Sequence, residues 1–282
     1  MKRLSFSLAF PLTLLAALGT AEAQDDAHPF GLPRTLTWGA YSVQVTPRTS
    51  LSGDTDSVVV VKQAGRTLLT VKDWNVDAEL QPIRPGGAPE LVLSAYSGGA
   101  HCCTTLYVFT QDTGRLENLA IFDAGDDPGA WRDLNGDGVK EFVWGSNTLT
   151  YYDWSFADSP FLSTVLGWDG VRLADRTRLY AYVPAQAAAR ELKAMVGGLK
   201  AGQGVADLKP RLGGYFANMV LAGRGAEAEK VLATQIFPKL PALKTWYVTH
   251  RTALVNSTYG QPEGRLQAAD SKVYPLPREE QP

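Results

Sequence analysis

The chain is poor in the residues that reactive sites draw on: two cysteines, three histidines and three methionines among 282 residues. The cysteines are neighbours, Cys102 and Cys103, so no framework of spaced disulfides or Cys-x-x-Cys metal pairs can be built. A basic excess is lacking too. With 27 Lys and Arg against 29 Asp and Glu, the chain has no positive field for a nucleic acid. No G-x-S-x-G elbow, H-E-x-x-H pair, phosphate-cradling loop or strand-borne dinucleotide fingerprint occurs, which removes the best-marked hydrolase and nucleotide-dependent classes. After the first two dozen residues, no apolar run approaches the roughly 20 residues that span hydrocarbon.

What is present begins with a leader pattern. Lys2 and Arg3 precede an apolar run from Leu4 to Leu18, and Ala21 and Ala23 flank Glu22 in the A-x-A arrangement that signal peptidases cut. Residues 1–23 therefore read as a cleaved signal peptide, and the mature chain is expected in the periplasm or secreted, with no membrane span. Its charge is slightly negative, 25 basic against 28 acidic residues once Lys2, Arg3 and Glu22 are removed. A hydrophobic content of 45% suffices for a packed core, while 27 glycines and 17 prolines imply many turns.

The hydrophobic period changes near Pro184. Before it, short runs rich in Val, Leu, Phe and Tyr predict strands: Val58 to Lys62, Thr67 to Val71, Leu91 to Ala95, Thr105 to Phe109, Leu116 to Phe122 and Phe142 to Trp144. Gly65, Gly114 and Gly170 sit between runs where tight hairpins need positive φ. After Pro184, apolar residues recur at three- and four-residue steps through Leu192, Leu212, Leu232 and Leu254. About four helices are expected, with breaks at Gly213-Gly214, Gly223 to Gly225, Pro238 and Pro241. The expected class is α+β: an all-β domain over 34–183, a helical domain over 184–258 and a loosely held tail over 259–282.

The most specific segment is Asp133-Leu134-Asn135-Gly136-Asp137-Gly138-Val139-Lys140-Glu141. Calcium takes six or more oxygens, and Asp or Asn at positions 1, 3 and 5, a turn glycine next to them and a carbonyl at position 7 supply them. Asp133, Asn135, Asp137 and the Val139 carbonyl match those roles. An EF-hand would place glutamate at position 12, where Trp144 stands, so that version fails. The alternative to a metal loop is a metal-free Asn-Gly and Asp-Gly turn.

The pattern D-x-N-x-D-G-x-x-E leading into a strand resembles the calcium loops of FG-GAP and VCBS repeats, the blades of integrin-type β-propellers. The resemblance covers about nine residues. It implies a structural Ca2+ held by Asp133, Asn135, Asp137, Val139 and Glu141, in a loop joining two strands of a blade. An internal comparison supports a repeat: with Glu90 set beside Glu141, Gly86 to Leu93 aligns with Asp137 to Trp144 at an offset of 51 residues. In the first copy Pro82 and Arg84 stand in place of Asp133 and Asn135, so only the later loop is expected to bind metal. A closed propeller needs at least about four blades. Residues 34 to 182 supply about three, so a propeller-like but open or irregular β domain is expected.

A second unusual segment is Ser97-Gly98-Gly99-Ala100-His101-Cys102-Cys103-Thr104. In an oxidising compartment the two thiols can pair with each other or across chains. A ring between neighbours is strained, because Cα atoms about 3.8 Å apart fall below the usual disulfide span. Two reduced cysteines on opposite strand faces, or a soft-metal site for copper(I) or zinc with His101, are the alternatives. Gly98, Gly99, His101, Cys102 and Cys103 are expected to line a ligand site, with the aromatic stretch Tyr151-Tyr152-Asp153-Trp154 as a second recognition loop. Asp126-Asp127 reads as a solvated turn pair. Two classes follow. One is a non-catalytic calcium-binding protein that recognises a glycan, peptide or envelope component; the other is an extracytoplasmic hydrolase, thiol redox or soft-metal protein using His101 and the cysteines.

Overall fold

The computed structural model describes residues 32–49, 56–99 and 103–259, and the backbone of 266–268. The leader 1–23, His101, Cys102 and most of the tail lie outside these residues. The first half consists of three successive antiparallel meanders of four strands. The first comprises β1 (Arg34–Trp38), β2 (Tyr41–Thr46), β3 (Ser57–Gln63) and β4 (Arg66–Asp73). The second comprises β5 (Asn75–Gln81), β6 (Glu90–Tyr96), β7 (Thr104–Thr110) and β8 (Glu117–Gly125). The third comprises β9 (Ala130–Arg132), β10 (Glu141–Ser146), β11 (Leu162–Trp168) and β12 (Leu173–Asp175).

Alternation sets the faces. In β2 and β3, Val43, Val45, Val59 and Val61 point inward and the residues between them outward, the period-two pattern of a half-buried sheet. The three hairpins expected at Gly65, Gly114 and Gly170 are present, with φ of +82°, +74° and +105°. Polar bonds join neighbouring meanders. The Ser57 hydroxyl donates to the Val76 carbonyl (2.9 Å), the Trp38 indole to the Pro89 carbonyl (2.7 Å), and the Lys140 N–H to the Pro82 carbonyl (2.7 Å).

The second half is helical: α1 (Tyr182–Lys200), α2 (Val205–Leu221), α3 (Gly225–Val231) running into a π-turn at Leu232–Ile236, and α4 (Pro241–Tyr259). Gly213 and Gly214 lie inside α2 rather than between helices. A Cβ on Gly213 would sit 2.6 Å from the Trp154 ring, and one on Gly214 would sit 2.7 Å from Pro160. These glycines let the 149–161 connection lie against the helix, and that contact outweighs their poor helix propensity. The last strand, β13 (Leu266–Ala268), pairs antiparallel with β8, so part of the tail joins the second sheet.

The helical core is continuous with the third meander. Leu149 and Leu162 are buried among Leu208, Leu212, Phe216 and Met219. Asn218, fully buried on α2, accepts from the Ser163 N–H of β11 at 2.9 Å and donates to the Gly214 carbonyl at 2.9 Å. The change of period near Pro184 is thus a change of secondary structure across a shared core.

Candidate functional site

Loop Asp133–Glu141 connects β9 to β10 and is built by short-range polar bonds. The Asp133 carboxylate accepts from the Gly136 and Gly138 N–H groups (2.7 and 2.9 Å), which hold its pKa below the ordinary value, Gly138 contributing most. Asn135 Oδ1 accepts from the Asp137 N–H (3.0 Å) and Asp137 Oδ1 from the Val139 N–H (2.8 Å). Gly136 and Gly138 take φ of +81° and +85°, which side chains disfavour. Glu141 points back under the loop, nearly buried, and its Oε2 accepts from the Leu134 N–H at 3.1 Å.

The first copy of the repeat repeats this frame. Gln81 pairs with Glu90 across β5 and β6, and Arg132 pairs with Glu141 across β9 and β10, each pair 51 residues from its counterpart. Glu90 Oε2 accepts from the Ile83 N–H at 2.9 Å, as Glu141 Oε2 does from Leu134. In both copies the strand-opening glutamate therefore caps the backbone seven residues earlier. The copies differ in what answers the charge. Arg84, at the position of Asn135, brings its guanidinium to Glu90 (2.5 Å), Asp112 (2.5 Å) and the Thr110 hydroxyl (2.6 Å). In the second copy no basic side chain of the described residues pairs with Asp133, Asp137 or Glu141. Lys140 turns away to donate to Gln81 Oε1 at 2.9 Å.

Two tyrosines bond the second loop. The Tyr180 hydroxyl donates to Glu141 Oε1 at 2.6 Å and accepts from Asn135 Nδ2 at 3.3 Å; burial first, then Glu141, pushes its pKa well up. The Tyr182 hydroxyl donates to the Leu134 carbonyl at 3.1 Å, tying the loop to the start of α1. Sequence reasoning did not find Tyr180 or Tyr182. The alignment marks Arg84 as a position without a ligand oxygen; that its guanidinium answers Glu90 comes from the structure.

A hard cation fits the loop chemically. Three carboxylates lie within nine residues with no ion-pair partner among the described residues, and every candidate donor is oxygen. Asp133, Asn135, Asp137, Glu141 and the Val139 carbonyl are the groups that would hold it. They are not gathered into a cage: among the described residues, no three acidic, His or Cys side chains converge closely enough to hold a metal. Asn135 instead presents its amide nitrogen to Asp137 Oδ2 at 2.8 Å, so a cation would require its oxygen to turn inward.

The other candidate residues distribute as follows. Gly98 and Gly99 take φ of +80° and +99° between β6 and β7, and a Cβ on Gly98 would sit 2.9 Å from the Trp74 ring. The Gly98 conformation thus has a packing reason, whereas a Cβ on Gly99 would meet nothing within 4 Å. Cys103 closes the loop, donating its N–H to Ser97 Oγ at 3.0 Å, and no free cysteine occurs among the described residues. His101 and Cys102 lie outside them. Of the aromatic stretch, Tyr152 and Trp154 pack against the helical core, while Tyr151 is 63% exposed. Tyr152 donates to the His250 carbonyl (3.4 Å), Trp154 to the Leu149 carbonyl (2.8 Å), and Asp153 accepts from Lys209 (2.8 Å) and the Trp246 indole (2.7 Å). Asp126 and Asp127 are structural. Asp126 accepts from Asn147 Nδ2 at 2.9 Å, and Asp127 accepts from the Gly129 N–H at 2.9 Å and also from the Gly145 N–H.

No family model matches the chain and no solved structure matches it. One curated relative is a probable thylakoid lumen protein of Synechocystis, 35% identical over 75 residues, covering 25% of this chain and 22% of that protein. The chain thus spans about a fifth of the length of the relative it matches. Among the described residues no helix is long and apolar enough to cross a membrane.

Proposed function

We propose that this chain is a periplasmic or secreted calcium-binding protein of the FG-GAP/VCBS type, whose metal staples a propeller-like β scaffold that binds a ligand without catalysing a reaction. The observation that carries the reading is the comparison of the two loops. The same strand register and the same glutamate cap recur 51 residues apart, with an arginine in one copy and, in the other, three carboxylates that no basic side chain of the described residues pairs with. A cation bound by the second loop would complete the symmetry that Arg84 completes in the first. The leader pattern and the lumen location in the relative's name support an extracytoplasmic address, where millimolar calcium suits an oxygen-only loop. In that compartment Cys103, with Cys102 its sole possible partner in the chain, is bonded to it, and intact mass without reductant reads this as two hydrogens fewer per monomer.

Thermal unfolding of the full mature chain tests the calcium reading. A metal bound only by the folded state adds about 2.7 kcal/mol at one hundred times its dissociation constant, a rise of about 5–11 °C for a chain of this size. Calcium should raise the midpoint and a chelator should lower it. An unchanged midpoint would count against the proposal, as would a response that survives Asp137→Ala.

A further inference from the structure

A cavity of about 610 Å³ lies between β9 and β10 on one side and α1 and α2 on the other. Three arginines line it: Arg132 from the end of β9, Arg190 from α1 and Arg211 from α2. Arg211 is paired with Glu191 at 3.2 Å. Arg132 and Arg190 have no hydrogen-bond or ion-pair partner among the described residues. The acidic residues of the lining are already engaged: Asp127 by two backbone N–H groups, Asp158 by the Ser155 hydroxyl at 2.6 Å, and Glu191 by Arg211. Two exposed arginines with ten unclaimed donors between them therefore line one concave space. The lining carries three carboxylates beside its three arginines, so anion recognition rests on the two unpaired guanidinium groups and not on net charge.

We propose that this cavity binds a small organic anion, a carboxylate or a phosphate ester, with Arg132 and Arg190 as its charge-reading residues. Guanidinium forks match both oxyanion geometries through paired N–H donors. The volume lies in the range of small-molecule pockets and exceeds what an inorganic ion fills. Phe161, 44% exposed at the lining, offers a ring face to the uncharged part of such a molecule. Arg132 directly precedes the Asp133–Glu141 loop and pairs with Glu141 across β9 and β10, so chelator in the titration keeps metal at that loop out of the reading; the Cys102-Cys103 segment takes no part.

The test is calorimetric titration of the full mature chain, at low ionic strength and in the presence of chelator, with glucuronate, glucose 6-phosphate, citrate, inorganic phosphate and neutral glucose. Saturable binding of at least one organic anion, with none of glucose, is expected. Arg132→Gln and Arg190→Gln should each weaken it about tenfold or more, the loss of one charge-assisted hydrogen bond. Arg172→Gln, on the exposed turn between β11 and β12, should leave it unchanged. Phosphate ester binding without carboxylate binding, or the reverse, would identify which oxyanion the site reads. The proposal is overturned if no organic anion saturates, if inorganic phosphate binds as tightly as every organic probe, or if Arg172→Gln weakens binding as much as the cavity variants. Circular dichroism of each variant establishes that it is folded.

Discussion

Replacing Arg84 with methionine removes the one cation among the described residues that answers Glu90, whose side chain is fully buried. The remaining partner of that carboxylate is the Ile83 N–H, too little to offset the desolvation of a charge. Arg84 is itself only 16% exposed, so the pair belongs to the buried class, where removing one partner costs about 3–5 kcal/mol. The contact with the half-exposed Asp112 contributes less. For a chain of this size the loss corresponds to a fall of roughly 6–20 °C in the thermal midpoint, measurable by circular dichroism. Arg84→Met combined with Glu90→Leu should recover most of the fall, because no charge is left stranded. Calcium should not repair the single variant, since the first loop lacks the carboxylates to hold it. A fall under about 1 kcal/mol, or a double variant no better than the single one, would refute the idea that Arg84 holds the first loop together as a fixed cation.

Gly213→Ala, which in an exposed helix would add up to about 1 kcal/mol, should instead cost about 1–3 kcal/mol, because the new Cβ meets the Trp154 ring; a stabilised variant in denaturant titration would mean that the 149–161 connection does not rest there. A chain ending at residue 183 exposes Leu149 and Leu162 and strands the Ser163 N–H that Asn218 serves. It should lose its cooperative melt, and a midpoint equal to the full chain's would restore two independent domains. Acid stability follows from carboxyls held below their ordinary values: Asp112 by Arg84, Asp153 by Lys209 and Glu229 by Arg251. The unfolded chain takes up protons first, so stability is present above the ordinary values of 3.8 and 4.5 and is lost as pH falls through the lower folded values. Midpoints measured from neutral pH downward should stay level and then drop below about pH 4.5; a rise on acidification would reverse the sign.

The β-rich first half, the helical second half and the three glycine hairpins were legible because each rests on local chemistry: alternation, a three-to-four-residue period and φ > 0. The repeat was legible as an alignment of Glu90 with Glu141, and the structure gives that alignment identical strand pairing. Gly213-Gly214 misled because propensity says break, whereas the reason for glycine there lies 59 residues away at Trp154. Asn218 and Tyr180 were invisible for the same reason. Each makes its decisive bond across the junction of sheet and helices, at separations of 55 and 39 residues, which no periodicity records. Arg84 was the most recoverable omission, since a strand-opening glutamate with an arginine six residues before it already suggests an ion pair.

Under the proposed function, Asp133–Glu141 takes a cation where the first loop carries Arg84 covalently. Isothermal titration of the metal-stripped, full mature chain with calcium tests it directly. One calcium per chain is predicted, with none bound after Asp133→Asn combined with Asp137→Asn. Failure of the wild-type chain to bind calcium at millimolar concentration, or an undiminished site in the double variant, would contradict it.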